Sequence, residues 1–341
     1  MPVLNKADRE KASEYEHFVA TSAHGHCLQS MNWAKVKANW ESDYVYLDDE
    51  SGHVRAALSL LSIKNDGVHS FIYAPRGPVC DLADLDTVNR LLAEAEPIIE
   101  DRKAFLLRLD PEIPYAASLV EKLTAGLKEE DVVIRTRGLP EHSFSNPRNN
   151  MVLYFRGRDF DQIMKDFSSK RRNQFRKTYK NGLTTRRVHR GDPDFEQAMQ
   201  NFFALTEIMA SRQQISHRPI DYFYRLFEAF PDVCFYETAD REEVLSSSIV
   251  VTYNKKAFYM YAASSDKKRN LNASAQMNLE AIRDACQKPG VTEYDFGGVY
   301  EFDRTSGLYS FKADFTGDEG RAELLGEIDI IYDRTLYQDF L

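Results

Sequence analysis

Apolar positions recur at helical spacing over residues 6–20, where Tyr15, Phe18 and Val19 fall together, and this predicts an amphipathic helix. A second, shorter helix is expected over 30–40, with Trp33 and Val36 sharing a face. Short apolar runs bounded by turn residues follow at 44–48, 54–63 and 68–74 and predict a three-stranded meander. A Leu- and Ala-rich helix (84–100) leads to an apolar strand (105–109) that ends in Asp110-Pro111-Glu112. A helix over 116–127 and a strand over 132–137 complete the first half.

The second half repeats that order. Helices are predicted over 195–212 and 219–230, a meander over 233–238, 244–253 and 257–263, a helix over 273–286, and a strand over 292–296. FLLRLDPE (105–112) and TEYDFGGV (292–299) thus hold the same place in the two halves, which points to an internal duplication. Each half has the helix-and-meander order of a GNAT-like α+β domain with a mixed central sheet. The expected domains are 1–150, completed by 320–341, and 151–319. No long heptad pattern predicts a coiled-coil arm.

The composition of the 341 residues, 43% hydrophobic and 28% charged, fits an ordinary globular protein. No apolar run approaches the roughly 18 residues of a membrane span, and the polar N-terminus does not read as a secretory signal, so a cytoplasmic protein is expected. The four cysteines form no CxxC pair and show no zinc spacing. The net charge of −9 conceals a local feature: residues 165–190 hold ten Lys/Arg and one acid, Asp166. A basic island in an acidic chain localises a polyanion partner, and it is expected as a basic helix near the joint between the halves.

Residues 294–315 concentrate the candidate chemistry. The strand breaks at Gly297-Gly298, where paired glycines let the backbone approach a ligand. A polar loop is expected next, and the chain returns as LYSFK (308–312), with Lys312 among aromatics. The segments that would hold the pyrophosphate of an acyl-CoA, at 81–84 and 266–272, lack the glycines of a phosphate cradle. No Ser-His-Asp or Cys-His constellation suggests a covalent acyl-enzyme.

Six segments in register, LQSMNWAKVK (28–37), SKRRNQFRK (169–177), SHRPIDYF (216–223), FYMYAAS (258–264), EYDFGG (293–298) and LYSFK (308–312), carry a resemblance across the whole chain. The chain resembles the Fem family of peptidoglycan-bridge aminoacyltransferases, among its compact members without a coiled-coil arm. The resemblance implies an acyl transfer from aminoacyl-tRNA, with Ala-tRNA the expected donor, to the lysine ε-amine of UDP-MurNAc-pentapeptide. It implies a monomer and no metal or small cofactor.

The resemblance also distributes roles. Lys170, Arg171, Arg172, Arg176, Lys177 and Lys180 would meet tRNA phosphates, which are recognised without reading sequence. Lys37, or else Lys35, and Arg218 would bind the acceptor, whose diphosphate and carboxylates need fixed cations. Tyr222, Tyr259 and Tyr261 would line the cleft, the last two on one strand face because they stand two residues apart. Gly297 and Gly298 would open the floor of the donor cleft. Asp110 would orient the attacking amine or accept its proton, although a carboxylate of ordinary pKa is a weak base for an ammonium. Lys312 would stabilise the tetrahedral oxyanion or hold the terminal adenosine, with Phe311 stacking on a base.

Overall fold

A computed structural model describes residues 2–137, 144–241 and 243–341. The chain forms two units. One comprises Met1–Asn149, Gly298–Tyr300 and Ala322–Leu341; the other comprises Asn150–Gly297 and Glu301–Arg321.

The first unit begins with α1 (Arg9–Thr21), whose N-cap Asp8 accepts from the Lys11 amide, and α2 (Met31–Val36). Strands β1 (Glu41–Asp48), β2 (Val54–Lys64) and β3 (Ser70–Ala74) form the expected antiparallel meander. Next come α3 (Leu85–Arg102), β4 (Ala104–Leu109), α4 (Ala117–Gly126) and β5 (Val132–Arg135). Every residue of β4 is buried, as befits a strand covered on both faces. Leu91, Leu92, Ala95, Ile98 and Ile99 of α3 recur at helical spacing and join Leu58, Leu60, Ile72 and Leu107 in one core. Full burial of each such Leu or Ile contributes about 1.5–3 kcal/mol.

The second unit contains β6 (Asn149–Tyr154, its first residue assigned to the other unit), α5 (Phe160–Asp166), α6 (Ser169–Lys180), β7 (Thr184–His189), α7 (Phe195–Gln213) and α8 (Ile220–Ala229). The second meander, β8 (Val233–Ala239), β9 (Val244–Tyr253) and β10 (Lys256–Ser264), precedes α9 (Ala273–Gln287), β11 (Glu293–Val299) and α10 (Gly307–Thr316). The short β12 (Arg321–Glu323) leads back to the first unit, which ends with β13 (Glu327–Ile331) and α11 (Arg334–Phe340).

The duplication is visible in strand pairing. β4 runs parallel to β3, the last strand of the first meander, and β11 runs parallel to β10, the last strand of the second. The first sheet has the order β1-β2-β3-β4-β13-β5, and the second unit continues β8-β9-β10-β11-β6 in the same sense. The strand beside β4 is therefore supplied from after the second half, whereas the strand beside β11 is supplied from before it.

Three expectations need correction here. The basic stretch 165–190 is not one helix: Lys165 ends α5, α6 carries the middle, and Arg186 and Arg187 lie on β7. The strand at 292–296 does not break at its glycines but runs on to Val299. Residues 307–316 form a helix, capped by the Ser306 hydroxyl accepting from the Tyr309 amide, where a polar loop and its return were expected. Among the described residues no helix exceeds the 19 residues of α7, and none is apolar and long enough to cross a membrane.

Candidate functional site

Helix α10 turns Tyr309, Lys312, Ala313 and Thr316 into the second unit. Lys312 is 7% exposed, and its Nζ lies 3.7 Å from where a Cβ on Gly297 would stand. Gly297 has φ +75°, a conformation L side chains rarely adopt, so the backbone here depends on glycine. Burial pushes the Lys312 ammonium down to about 8, while the negative charge of Asp295 acts in the opposite direction. Asp295 is itself 3% exposed and accepts from the Gly297 amide at 2.6 Å and from Asn150 Nδ2 at 3.0 and 2.9 Å.

Phe311 leaves the same helix on another side. Its ring meets Phe315 edge-on at 5.4 Å, and Phe315 stacks on both Phe175 and Phe296. Phe311, Asp314 and Phe315 line a cavity of about 290 Å³ together with Arg171 of α6, the start of α9 and the segment 264–272 before it. That segment holds Lys267, Lys268 and Arg269, so the place that lacks a glycine cradle is furnished with side-chain cations instead. Lys267 pairs with Glu243 at 2.8 Å and Lys268 with Asp240 at 2.6 Å, while Arg171 pairs with Asp314. Burial raises the Asp314 carboxyl despite that partner.

The basic residues divide by their partners. Arg172 donates to the Lys165 and Phe167 carbonyls, and Arg186, Arg187 and Arg190 pair with Glu237, Asp284 and Glu228. Lys170, Arg176, Lys177 and Lys180 are exposed on α6 and carry no salt bridge among the described residues.

Arg218 and two tyrosines come together. The Tyr222 and Tyr261 hydroxyls are 2.8 Å apart, and the Arg218 guanidinium lies 5.6 Å from the Tyr222 ring centre. Burial lifts the Tyr222 phenol well above its usual range. Tyr259 does not join them. The β9–β10 register slips between Tyr259 and Tyr261, which leaves Met260 as an extra residue and turns the two side chains to opposite faces. Tyr261 packs on Tyr222 and Phe223 of α8, whereas Tyr259 packs on Tyr294 and Phe296 of β11. Burial takes the Tyr259 phenol up to about 12.

In the first unit, Asp110 follows β4 and is 1% exposed. Its carboxylate accepts from the Tyr73 hydroxyl, the Arg76 amide, and the Asn146 amide and Nδ2, the last two at 2.8 and 2.9 Å. Arg76 sends its guanidinium to the carbonyls of Asp110, at 3.4 Å, and Pro147, at 3.1 Å. Asp110 is thus the hub that joins the turn after β3 to the segment before β6. Four donors already occupy the two oxygens, so the carboxylate is bound to structure and poorly placed to take a substrate proton. Gly298 belongs to the same region. A Cβ there would lie 2.4 Å from the Pro147 side chain, so this glycine serves close packing.

Lys37 caps α2, which stops at Val36, and its Nζ lies 5.8 and 5.7 Å from the Trp33 and Trp40 rings. Lys35 donates to Asn32 Oδ1 at 2.8 Å on the exposed side. Asp295, Asn150, Arg76 and Asn146 were not singled out from sequence. The only sequence signal for them is an acid in the apolar run EYDFGG and an arginine in the turn PRGP. Among the described residues no three His, Cys, Asp or Glu side chains gather as metal ligands.

The model of the FemAB family matches residues 11–236 and 234–340. The chain belongs to the FemAB family. Among curated FemAB-type relatives it is 35% identical, over 100% of its length and 99% of the relative's, to a UDP-N-acetylmuramoylpentapeptide-lysine N(6)-alanyltransferase of Weissella viridescens. It is 22% identical, over 95% of its length and 92% of the relative's, to a lipid II:glycine glycyltransferase of Staphylococcus epidermidis. In fold it is similar to the crystal structure of FemX, with a TM-score of 0.83, 21% identity and 99% of each chain covered. It is also similar to a tandem GNAT protein from the clavulanic acid biosynthesis pathway, with a TM-score of 0.56, 11% identity and 96% of each chain covered. The FemAB fold here is therefore α+β with two GNAT-like halves and, among the described residues, no coiled-coil arm.

Proposed function

We propose that this FemAB protein transfers an amino acid, L-alanine, from aminoacyl-tRNA to the ε-amine of the stem-peptide lysine of UDP-MurNAc-pentapeptide. The observation that carries this reading is the 35% identity, end to end, with the Weissella alanyltransferase. The acceptor is a soluble nucleotide, which fits action in the cytoplasm as a monomer.

In this reading the lysine amine attacks the ester carbonyl, the carbonyl oxygen gains negative charge, and collapse expels the terminal ribose oxygen. The amine's proton passes to that oxygen through the neighbouring ribose hydroxyl, since the Asp110 carboxylate is fully engaged. Lys312 supplies the cation for the oxyanion; its burial strengthens the interaction, because the charge acts in a low dielectric and needs little reorganisation. Phe311 and the basic cavity beside it receive the 3′ end of the donor, and Lys170, Arg176, Lys177 and Lys180 draw in its phosphates. Arg218, Tyr222 and Tyr261 serve the acceptor, together with Lys37, or Lys35 in its place. Tyr259, turned to the other face, supports β11 by packing on Phe296. The first unit contributes Lys37 or Lys35 to the acceptor, and the second unit holds the donor residues as well as Arg218, Tyr222 and Tyr261.

The test is incubation with UDP-MurNAc-pentapeptide and each of Ala-, Ser- and Gly-tRNA, with the product mass read out. An increment of one alanine residue is expected. A product with serine or glycine revises the donor; no increment with any of the three, or one only on a lipid-linked acceptor, overturns the assignment.

A further inference from the structure

We propose that Asp295 is the positioning residue for Lys312: with Asn150 and the Gly297 amide it holds the lysine ammonium in place and in its charged form. The inference rests on the reading of Lys312 as the oxyanion-stabilising cation.

Three observations meet at Gly297. Its amide donates to Asp295 Oδ1 at 2.6 Å, its left-handed backbone favours glycine, and Lys312 Nζ lies 3.7 Å from the position a Cβ would take. One residue thus touches the carboxylate through its N–H and the ammonium through its open side. Asn150 Nδ2 bonds both carboxylate oxygens, at 3.0 and 2.9 Å, and so fixes the plane of the group from β6. Asp295 and Asn150 are each 3% exposed, which keeps water from relaxing the arrangement.

The surroundings leave Asp295 as the charge that matters. On α10 itself, Asp314 is taken by Arg171. In the segment after α10, Asp318 pairs with Arg321 at 2.7 Å and lies 3.7 Å from Arg304. Asn150, from β6, is uncharged. Burial alone drives a lysine toward its neutral form, and a neutral amine cannot stabilise an oxyanion by charge. The field of Asp295 opposes that drift, and the remaining balance sits at about 8. Asn150 and Gly297 hold the carboxylate in one orientation, and its negative charge favours the ammonium form of Lys312.

The experiment uses full-length protein labelled with ¹³C at lysine Cε, the Lys312 signal being assigned by its loss in Lys312→Met. In Asp295→Asn, which keeps the shape, the Lys312 midpoint is expected to move to lower pH by about one unit. The high-pH limb of kcat should move with it, and kcat near pH 8 should fall about fivefold while KM changes less than about twofold. An unmoved Lys312 midpoint overturns the proposal, whatever the variant's thermal stability. A moved midpoint with an unmoved kcat profile overturns the catalytic reading of Lys312 instead, so the two failures are distinct. If Asp295→Asn does not fold, the wild-type chain decides. With aspartate labelled at Cγ, one carboxylate signal should inflect at the Lys312 midpoint and lose that inflection in Lys312→Met. No aspartate signal responding there overturns the pairing.

Discussion

Arg108 and Asp329, 221 positions apart, meet in a bidentate pair at 2.7 and 2.8 Å, with both side chains sealed from solvent. The pair joins β4 to β13, and Asp329 Oδ2 also accepts from the Tyr337 hydroxyl at 2.9 Å. Glu327 and Arg135 extend it into a charge-balanced group of four on β4, β13 and β5. Removing one partner leaves a buried charge uncompensated, so Arg108→Ala should destabilise the first unit by about 3–5 kcal/mol. Urea unfolding followed at a probe in the first unit checks this. The double replacement Arg108→Met with Asp329→Leu should lose markedly less than the sum of the single losses, and additive losses would contradict the coupling.

Lys312 should make the fold less stable at neutral pH than it need be. Its folded value, about 8, lies below the ordinary 10.5, so between those pH values the unfolded chain binds more protons. Stability due to this group therefore rises with pH across that window, and the cost of burying its charge is fully present below it. Lys312→Met should raise stability by at most about 3 kcal/mol at pH 7, with the gain fading toward pH 10.5. Melting curves of the two proteins across pH 6–10.5 read the difference directly. Transferase activity should fall by about 100-fold or more in the same variant.

Asp110 separates an organising role from a base. Asp110→Ala strands four donors and should cost about 3 kcal/mol or more, with KM for the nucleotide acceptor raised. Asp110→Asn keeps one acceptor oxygen and should retain most of kcat. A loss in Asp110→Asn as deep as that in Lys312→Met would return the carboxylate to the role of base.

The two classes of basic residue should differ in salt response. Lys177→Ala with Lys180→Ala removes two cations of α6 that carry no salt bridge among the described residues and should flatten the slope of log kcat/KM for aminoacyl-tRNA against log salt by about 2. Arg186→Ala, whose guanidinium is held by Glu237 and Asp194, should leave the slope nearly unchanged.

How far the sequence reached is clearest at β10 and α10. Both meanders were legible because short apolar runs between turn residues leave few alternatives. The facing of Tyr259 and Tyr261 was not, since the slip at Met260 is decided by pairing with β9 and not by anything local. At 307–316 the helix signals were present, Ser306 as cap and Tyr309, Lys312, Ala313 and Thr316 at helical spacing, but a ten-residue helix after a polar loop offers too few turns for its period to stand out. Lys312 stood out as a lone cation among aromatics, while Asp295 became visible only when folding set both at Gly297. The segment 320–341 was expected to complete the first unit, but β13 was not read as a strand because five residues carry little periodicity, and their place beside β4 is settled by contacts more than 200 positions away.

The interior position of β13 fixes an order of events during synthesis. The ribosome must deliver β6 to β11, the whole second sheet apart from its short last strand, before the strand that fills the gap between β4 and β5. Until then the β4 edge offers unpaired backbone groups and a buried-type arginine without its carboxylate. The nascent first unit is thus a natural client for chaperones, and a stop codon late in the message should yield a chain whose second unit is folded and whose first is a target for proteases.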